Sequence, residues 1–385
     1  MARLSGELVR SIKLAHARQL AGQEIPPAQH IPEEVPPPDM LKSAIDWIKA
    51  NPGALKAAQN TQCTSESPDK PNWDAVFFSL MESSAMYLRK VGEMVKAILA
   101  AREGDFELAL EHLELAQEDI NTVAKALECT FVQLCDFSKQ SPEGTWMHSG
   151  AFCGVFISND TSKPYMGVAF KGSNSTRDLV TDLDWSPIAP PTPGVVFDAK
   201  VHRGFYLGLF GKFKVGDDFE IPFDLLVKQL DLSYDDHARV HFTGHSLGGA
   251  FCTLAYGEFL RRQHEQPIKQ FNFGDMYSLA APRVCLEPFA DQVNTRTKPG
   301  GGKYLFRVVN RNDPVPTVPP RTANQVVDFP FIHVGGAWEL TGTGPGKMHD
   351  EPPPMTPQPV AKVIWNIKDH MTSDYYANWQ KTQHS

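Results

Sequence analysis

The chain has 385 residues, and its 37 Lys+Arg against 45 Asp+Glu give a net charge of −8, which excludes the basic footprint of a nucleic-acid binder. Hydrophobic residues at 42% and charged residues at 21% suit one large globular domain with an accessory segment, or two domains. No run reaches the ~18 consecutive apolar residues of a membrane span, and six scattered cysteines without metal or C-x-x-C spacing (Cys63, Cys129, Cys135, Cys153, Cys252, Cys285) read as buried reduced thiols.

The start, MARLSGELVRSIKLAHARQLAGQ, has no uninterrupted apolar h-region. It reads as a plain N-terminal helix, with a basic transit peptide as the alternative. On that basis the expected compartment is the cytoplasm, with non-classical secretion or association with a lipid surface as alternatives. EIPPAQHIPEEVPPP (24–38) is a semi-rigid proline-rich linker. From Ala75 to about Phe137 apolar residues recur at three- and four-residue steps: Phe77, Leu80, Met81, Leu88, Val91, Val95 and Ile98, then Phe106, Leu110, Leu113, Leu127, Phe131 and Leu134. This spacing predicts a helical hairpin. EGDFELALEHLELAQ has a faint tetratricopeptide look, but no repeat of fixed period follows. The expected division is 1–40 for helix and linker, 41–138 for a helical accessory segment, and 139–385 for the main domain.

From about residue 150 the pattern changes. AFCGVFIS, PYMGVAFKG, ARVHFTG, DMYSLAA, YLFRVVN and VVDFPFIHVGG are short β-branched and aromatic runs, with helical patterns at 205–230 and 247–264. Strands alternating with helices predict an α/β fold with a mostly parallel central sheet flanked by helices.

One run carries chemistry. VHFTGHSLGGA ends a strand pattern in Gly-x-Ser-x-Gly and opens a small-residue helix. Such a turn strains the serine backbone, and Gly244 and Gly248 let strand and helix approach it. Ser246 Oγ then stands above the sheet, and the Leu247 N–H points to the same spot at the positive end of the helix. A glycine-rich turn without chemistry is the bland alternative.

A serine nucleophile needs a base, expected later in the chain, with an acid between them. Five histidines follow Ser246. His264 sits in a charged helix end, His349 in a Pro/Gly loop and His384 near the end of the sequence; His333 lies in a strand pattern and reads as a structural histidine. His370, in KDHMTSDYY at a loop-to-helix transition, is the best base. For the acid, Asp313 closes the strand YLFRVVN and precedes stiffening prolines, at a strand end where open α/β sheets build their sites. Asp275, Asp291, Asp328 and Asp350 are rivals, Asp328 the serious one.

An oxyanion needs two donors. VAFKGSNSTRDLVTDLDW supplies a second strand ending at Gly172–Ser173, so Ser173 is the partner of Leu247. The short stretch after it reads as an amphipathic helix at the rim, with Thr176, Leu179, Val180 and Leu183 as lid residues. NDT (159–161) and NST (174–176) fit the glycosylation sequon; a glycan on Asn174 would crowd that lid, which favours an unmodified chain.

With these residues assembled, the sequence resembles the fungal class 3 lipase family of the α/β-hydrolase fold. VAFKGS, VHRGFY, VHFTGHSLGGA and RVVNRNDPVP match in order, with AAPRV and DHMTSDYY as further matching blocks, over roughly residues 140 to 380. The resemblance implies Ser246 as nucleophile, Asp313 as orienting acid, His370 as base, Ser173 and Leu247 as oxyanion hole and 175–183 as lid. It implies a carboxylic-ester hydrolase, a lipase or acylglycerol hydrolase, with no metal and no cofactor. Expected partners are a lipid or other ester substrate and transient lipid surfaces, with no nucleic acid. The thin apolar face of 175–183 leaves open an esterase for short-chain or aryl (feruloyl-type) esters. A catalytically inactive lipase-like scaffold is the alternative of another class.

Overall fold

Eight strands form one sheet, and they neighbour one another in chain order: β1 Cys129–Asp136, β2 Phe152–Ser158, β3 Tyr165–Phe170, β4 Arg239–His245, β5 Asn272–Leu279, β6 Leu305–Asn310, β7 Ala337–Leu340 and β8 Lys347–His349. The five strands β3 to β7 pair in parallel, while β1, β2 and β8 join antiparallel at the edges. The sheet is thus mostly parallel and flanked by helices, an α/β architecture. The computed structural model describes residues 6–23, 39–137, 139–140, 146–147, 150–173, 186–234, 237–297, 303–319, 330–341, 346–349 and 367–383. The proline-rich linker, Thr176, Leu179, Val180, Leu183, Asp328, Asp350, His384 and most of AKVIWNI lie outside those residues.

Strand periodicity sorts side chains between two helical layers. Val168, Phe170, Val240 and Phe242 share a core with α7 (Arg203–Phe210), α8 (Pro222–Ser233) and α9 (Leu247–Arg261). Ala169, Tyr277, Leu279 and Phe306 face the other way, onto α2 (Met40–Ala50), α3 (Pro52–Asn60), α4 (Trp73–Ala85) and the last helix, α11 (Thr372–Gln383). Each fully buried Phe or Leu in these layers is worth roughly 2 kcal/mol of transfer free energy. α4 begins where the Asn72 side chain accepts from the N–H groups of Asp74 and Ala75, satisfying two donors that the helix itself leaves open. It runs directly beneath β4: Thr243 Oγ1 donates to Ser79 O at 3.2 Å, and His241 Nε2 lies 2.7 Å from Glu82 Oε2.

α5 (Val91–Arg102) and α6 (Phe106–Ala126) form a helical hairpin, and α1 (Gly6–Gly22) packs across it. α10 (Glu287–Arg296) completes the α9 side.

Three expectations fail against this fold. The helical reading to Phe137 ends at Ala126: Glu128 takes a positive φ of 58°, and Cys129–Asp136 is the edge strand β1. Phe131 and Leu134 keep a three-residue step only by coincidence, since they belong to different faces of a strand. The helical pattern at 205–230 is two helices split by a hairpin, Phe213–Val215 with Asp218–Glu220. VVDFPFIHVGG is not a strand among its described residues. Pro330 opens that stretch, Gly335 has a φ of 68°, and Ile332 makes only an isolated bridge to Cys285; the strand is the next run, β7.

Candidate active site

Ser246 sits between β4 and α9 with φ 61° and ψ −128°, a strained conformation for a residue with a Cβ. The neighbours explain both glycines. A Cβ on Gly244 would lie 2.2 Å from Gly248 O, and one on Gly248 would lie 2.2 Å from Phe170 O. Backbone meets backbone at both positions, so a side chain cannot be absorbed by a rotamer change. The Ser246 N–H donates to Leu279 O of β5 at 3.0 Å, and Gly249 N–H donates back to Ser246 O at 2.9 Å.

The parallel strands bring three distant residues together at their C-terminal ends. His370 Nε2 lies 2.9 Å from Ser246 Oγ, and His370 Nδ1 lies 2.9 and 3.0 Å from the two Asp313 oxygens. Ser246, His370 and Asp313 are all buried. Asp313 comes three residues after β6, in a turn closed by Asp313 N–H to Asn310 O at 3.2 Å, and its Oδ1 accepts from Val315 N–H at 2.9 Å. His370 ends a short 3-10 turn, Ile367–His370, that runs into α11.

A second tier holds this group. The Tyr375 hydroxyl donates to Asp313 Oδ2 at 2.7 Å and accepts from Asn310 N–H at 3.0 Å. Asn310 Nδ2 donates to Asp369 O at 2.8 Å. Burial first, and the Asp313 carboxylate second, push the Tyr375 phenol well above its ordinary value, so it stays a donor. His245 lies under His370, its ring centroid 4.8 Å away. Burial, then the proximity of His370, hold His245 well below the ordinary histidine value, so it is neutral.

Ser173 and Leu247 line one small cavity of about 40 Å³ with Gly172, Lys171, Phe152 and Phe251. The lid residues fall outside the described residues. The rival acids are elsewhere or busy: Asp275 accepts from the N–H groups of Ser65 and Tyr304, and Asp291 is exposed on α10. His333 is buried and bonded to Pro316 O at 2.8 Å, and His264 is exposed. Tyr375, Asn310, His245 and Tyr87 escaped sequence reasoning as site residues. Tyr375 and His245 stand inside the runs DHMTSDYY and VHFTGHSLGGA, but nothing in spacing assigns them a partner. All six cysteines are free and buried. Among the described residues no helix is long and apolar enough to cross a membrane.

Residues 167–323 match the family model for Lipase (class 3). A Rhizomucor miehei lipase is 30% identical over 194 residues, 50% of this chain and 46% of that protein. A secreted mono- and diacylglycerol lipase 1 of Fusarium solani is 28% identical over 241 residues, 62% of this chain and 63% of that protein. A secreted alkaline triacylglycerol lipase of Penicillium cyclopium is 32% identical over 106 residues, 26% of this chain and 33% of that protein. The chain spans about half the length of the curated relatives it matches. These relatives overturn the cytoplasmic expectation, since two of them are named as secreted proteins. That expectation rested on a weak physical sign, because a start without an apolar run does not measure compartment. Over residues 167–323 the chain is thus similar to the class 3 lipase family.

Proposed function

We propose that the chain is a serine carboxylic-ester hydrolase that cleaves acylglycerols through an acyl-enzyme. The observation that carries this reading is the unbroken hydrogen-bond run Ser246 Oγ–His370 Nε2, His370 Nδ1–Asp313, all three side chains withdrawn from bulk water. A lone serine is a weak nucleophile, and this run supplies the base and its orienting acid. His370 takes the Ser246 proton as Oγ attacks the ester carbonyl. Asp313 holds the Nδ1–H tautomer and stabilises the imidazolium. The N–H groups of Ser173 and Leu247 receive the oxyanion, each worth roughly 3 kcal/mol. The imidazolium then protonates the departing alcohol, and water, activated by the same histidine, releases the acid.

Acylglycerol as the substrate class is supported by the mono- and diacylglycerol and triacylglycerol lipases named among the relatives. The test is initial rates on p-nitrophenyl esters from acetate to palmitate, below and above the solubility limit, for wild type and Ser246→Ala. Long-chain esters are expected to be preferred, and Ser246→Ala to retain no measurable turnover while staying folded. Turnover in the folded variant would end the assignment; a short-chain preference with no rise at the interface would replace the lipase reading with the esterase one.

A further inference from the structure

Tyr87 belongs to the N-terminal helical layer, on the 3-10 turn Met86–Leu88 that follows α4. It lies outside the matched segment, yet it reaches the site from behind. His245 Nε2 is 2.9 Å from the His370 carbonyl oxygen, and His245 Nδ1 is 2.8 Å from the Tyr87 hydroxyl. A carbonyl only accepts, so His245 carries its proton on Nε2 and donates to His370 O. A neutral imidazole has one N–H, so Nδ1 is an acceptor and the Tyr87 O–H donates to it. Both partners of His245 are thereby fixed, and so is its tautomer.

The same hydroxyl is wedged against the strand end that carries Ser173. A Cβ on Gly172 would lie 2.0 Å from Tyr87 Oη and 2.6 Å from His245 O. Glycine at 172 is what admits the phenol to this position. On the other side, the two carbonyls leading through the base are each held by a different strand end: Asp369 O by Asn310 at the end of β6, and His370 O by His245 at the end of β4. The His370 ring is aimed at Ser246 only as well as this backbone is held.

We propose that Tyr87 and His245 are positioning residues for the base, a two-bond strut through which the N-terminal helical layer takes part in catalysis. The inference rests on the ester-hydrolase reading above. Neither residue touches the reacting atoms; both act through the backbone of His370.

The test uses the full chain and three variants: Tyr87→Phe, which deletes one oxygen; His245→Leu, which deletes the donor; and His245→Gln, whose amide N–H restores a donor toward His370 O. Steady-state rates on p-nitrophenyl butyrate, melting temperatures and fluorophosphonate labelling of Ser246 are measured for each. Loss of one hydrogen-bonded anchor is expected to lower kcat about tenfold in Tyr87→Phe and about a hundredfold in His245→Leu, with KM unchanged. His245→Gln is expected to recover most of the loss. A kcat within about twofold of wild type in Tyr87→Phe and His245→Leu would overturn the strut. So would a His245→Gln variant as slow as His245→Leu, because packing rather than donation would then be at work. A rise in KM at constant kcat would overturn it as well. If His245→Leu does not fold, Tyr87→Phe decides by the same twofold criterion. Failure of wild type to label at Ser246 is a different result, which removes the hydrolase reading and the strut with it.

Discussion

Gly248→Ala tests the geometry of the serine turn more sharply than removal of any reacting group. The new Cβ would stand 2.2 Å from Phe170 O, and 2.9 Å from the carbonyl carbons of Phe170 and Lys171, where ordinary contact begins at 3.4 Å, so about 1.2 Å must be found. All three of these neighbouring atoms are backbone, and β3 is held on both sides by β2 and β4. The relief therefore moves the start of α9 away from the end of β3. Those two segments carry Leu247 and Ser173, the proposed oxyanion donors, and parting them by about an ångström costs roughly a hundredfold in rate, comparable to losing one donor. The expected result is a kcat on p-nitrophenyl butyrate lowered about a hundredfold, with a lowered melting temperature. A variant within threefold of wild type in kcat and unshifted in melting would refute the argument that close approach here sets the oxyanion geometry.

Asp313→Asn keeps the shape but no longer favours the Nδ1–H tautomer of His370, and kcat is expected to drop by roughly four orders of magnitude with the fold preserved, as followed by rates and circular dichroism. Arg89→Ala removes the guanidinium from the buried Arg89–Asp136 pair, whose side chains are 1% and 2% exposed; the stranded carboxylate is expected to cost about 3–5 kcal/mol in denaturant unfolding. His16, His245 and His333 all have their pKa lowered below the ordinary value of 6.5, by burial first in each case. The native state therefore binds fewer protons than the unfolded one. Stability is full above 6.5 and falls as pH drops from there toward the lowered native values, by up to about 1.4 kcal/mol per pH unit per histidine. Urea unfolding between pH 7.5 and 5 measures that slope, and a flat profile would contradict it.

The turn around Ser246 was readable because its constraints are local. Strand, glycine, serine, glycine and helix lie within a dozen residues, and each is chosen by backbone geometry. Asp313 and His370 were readable by their order in the chain and by their C-terminal neighbours, prolines after one and a helix start after the other. β1 was not readable, because Phe131 and Leu134 extend a helical spacing that only the left-handed backbone at Glu128 interrupts. Tyr87 and Tyr375 were hidden for another reason. Their partners lie 158 and 62 residues away along the chain, and apolar spacing gives no hint which tyrosine turns a hydroxyl toward a buried site.

The strict chain order of the eight strands has a consequence for synthesis. A chain made from its N-terminus adds each strand beside the one just completed, so the sheet can grow without waiting for distant segments. The serine turn is complete once α9 and β5 are in place, but its proposed base comes from residue 370. Between those moments the growing chain holds the proposed nucleophile with nothing to take its proton. On the proposed mechanism, hydrolytic power switches on at one late step, when the turn before α11 docks against the end of β4.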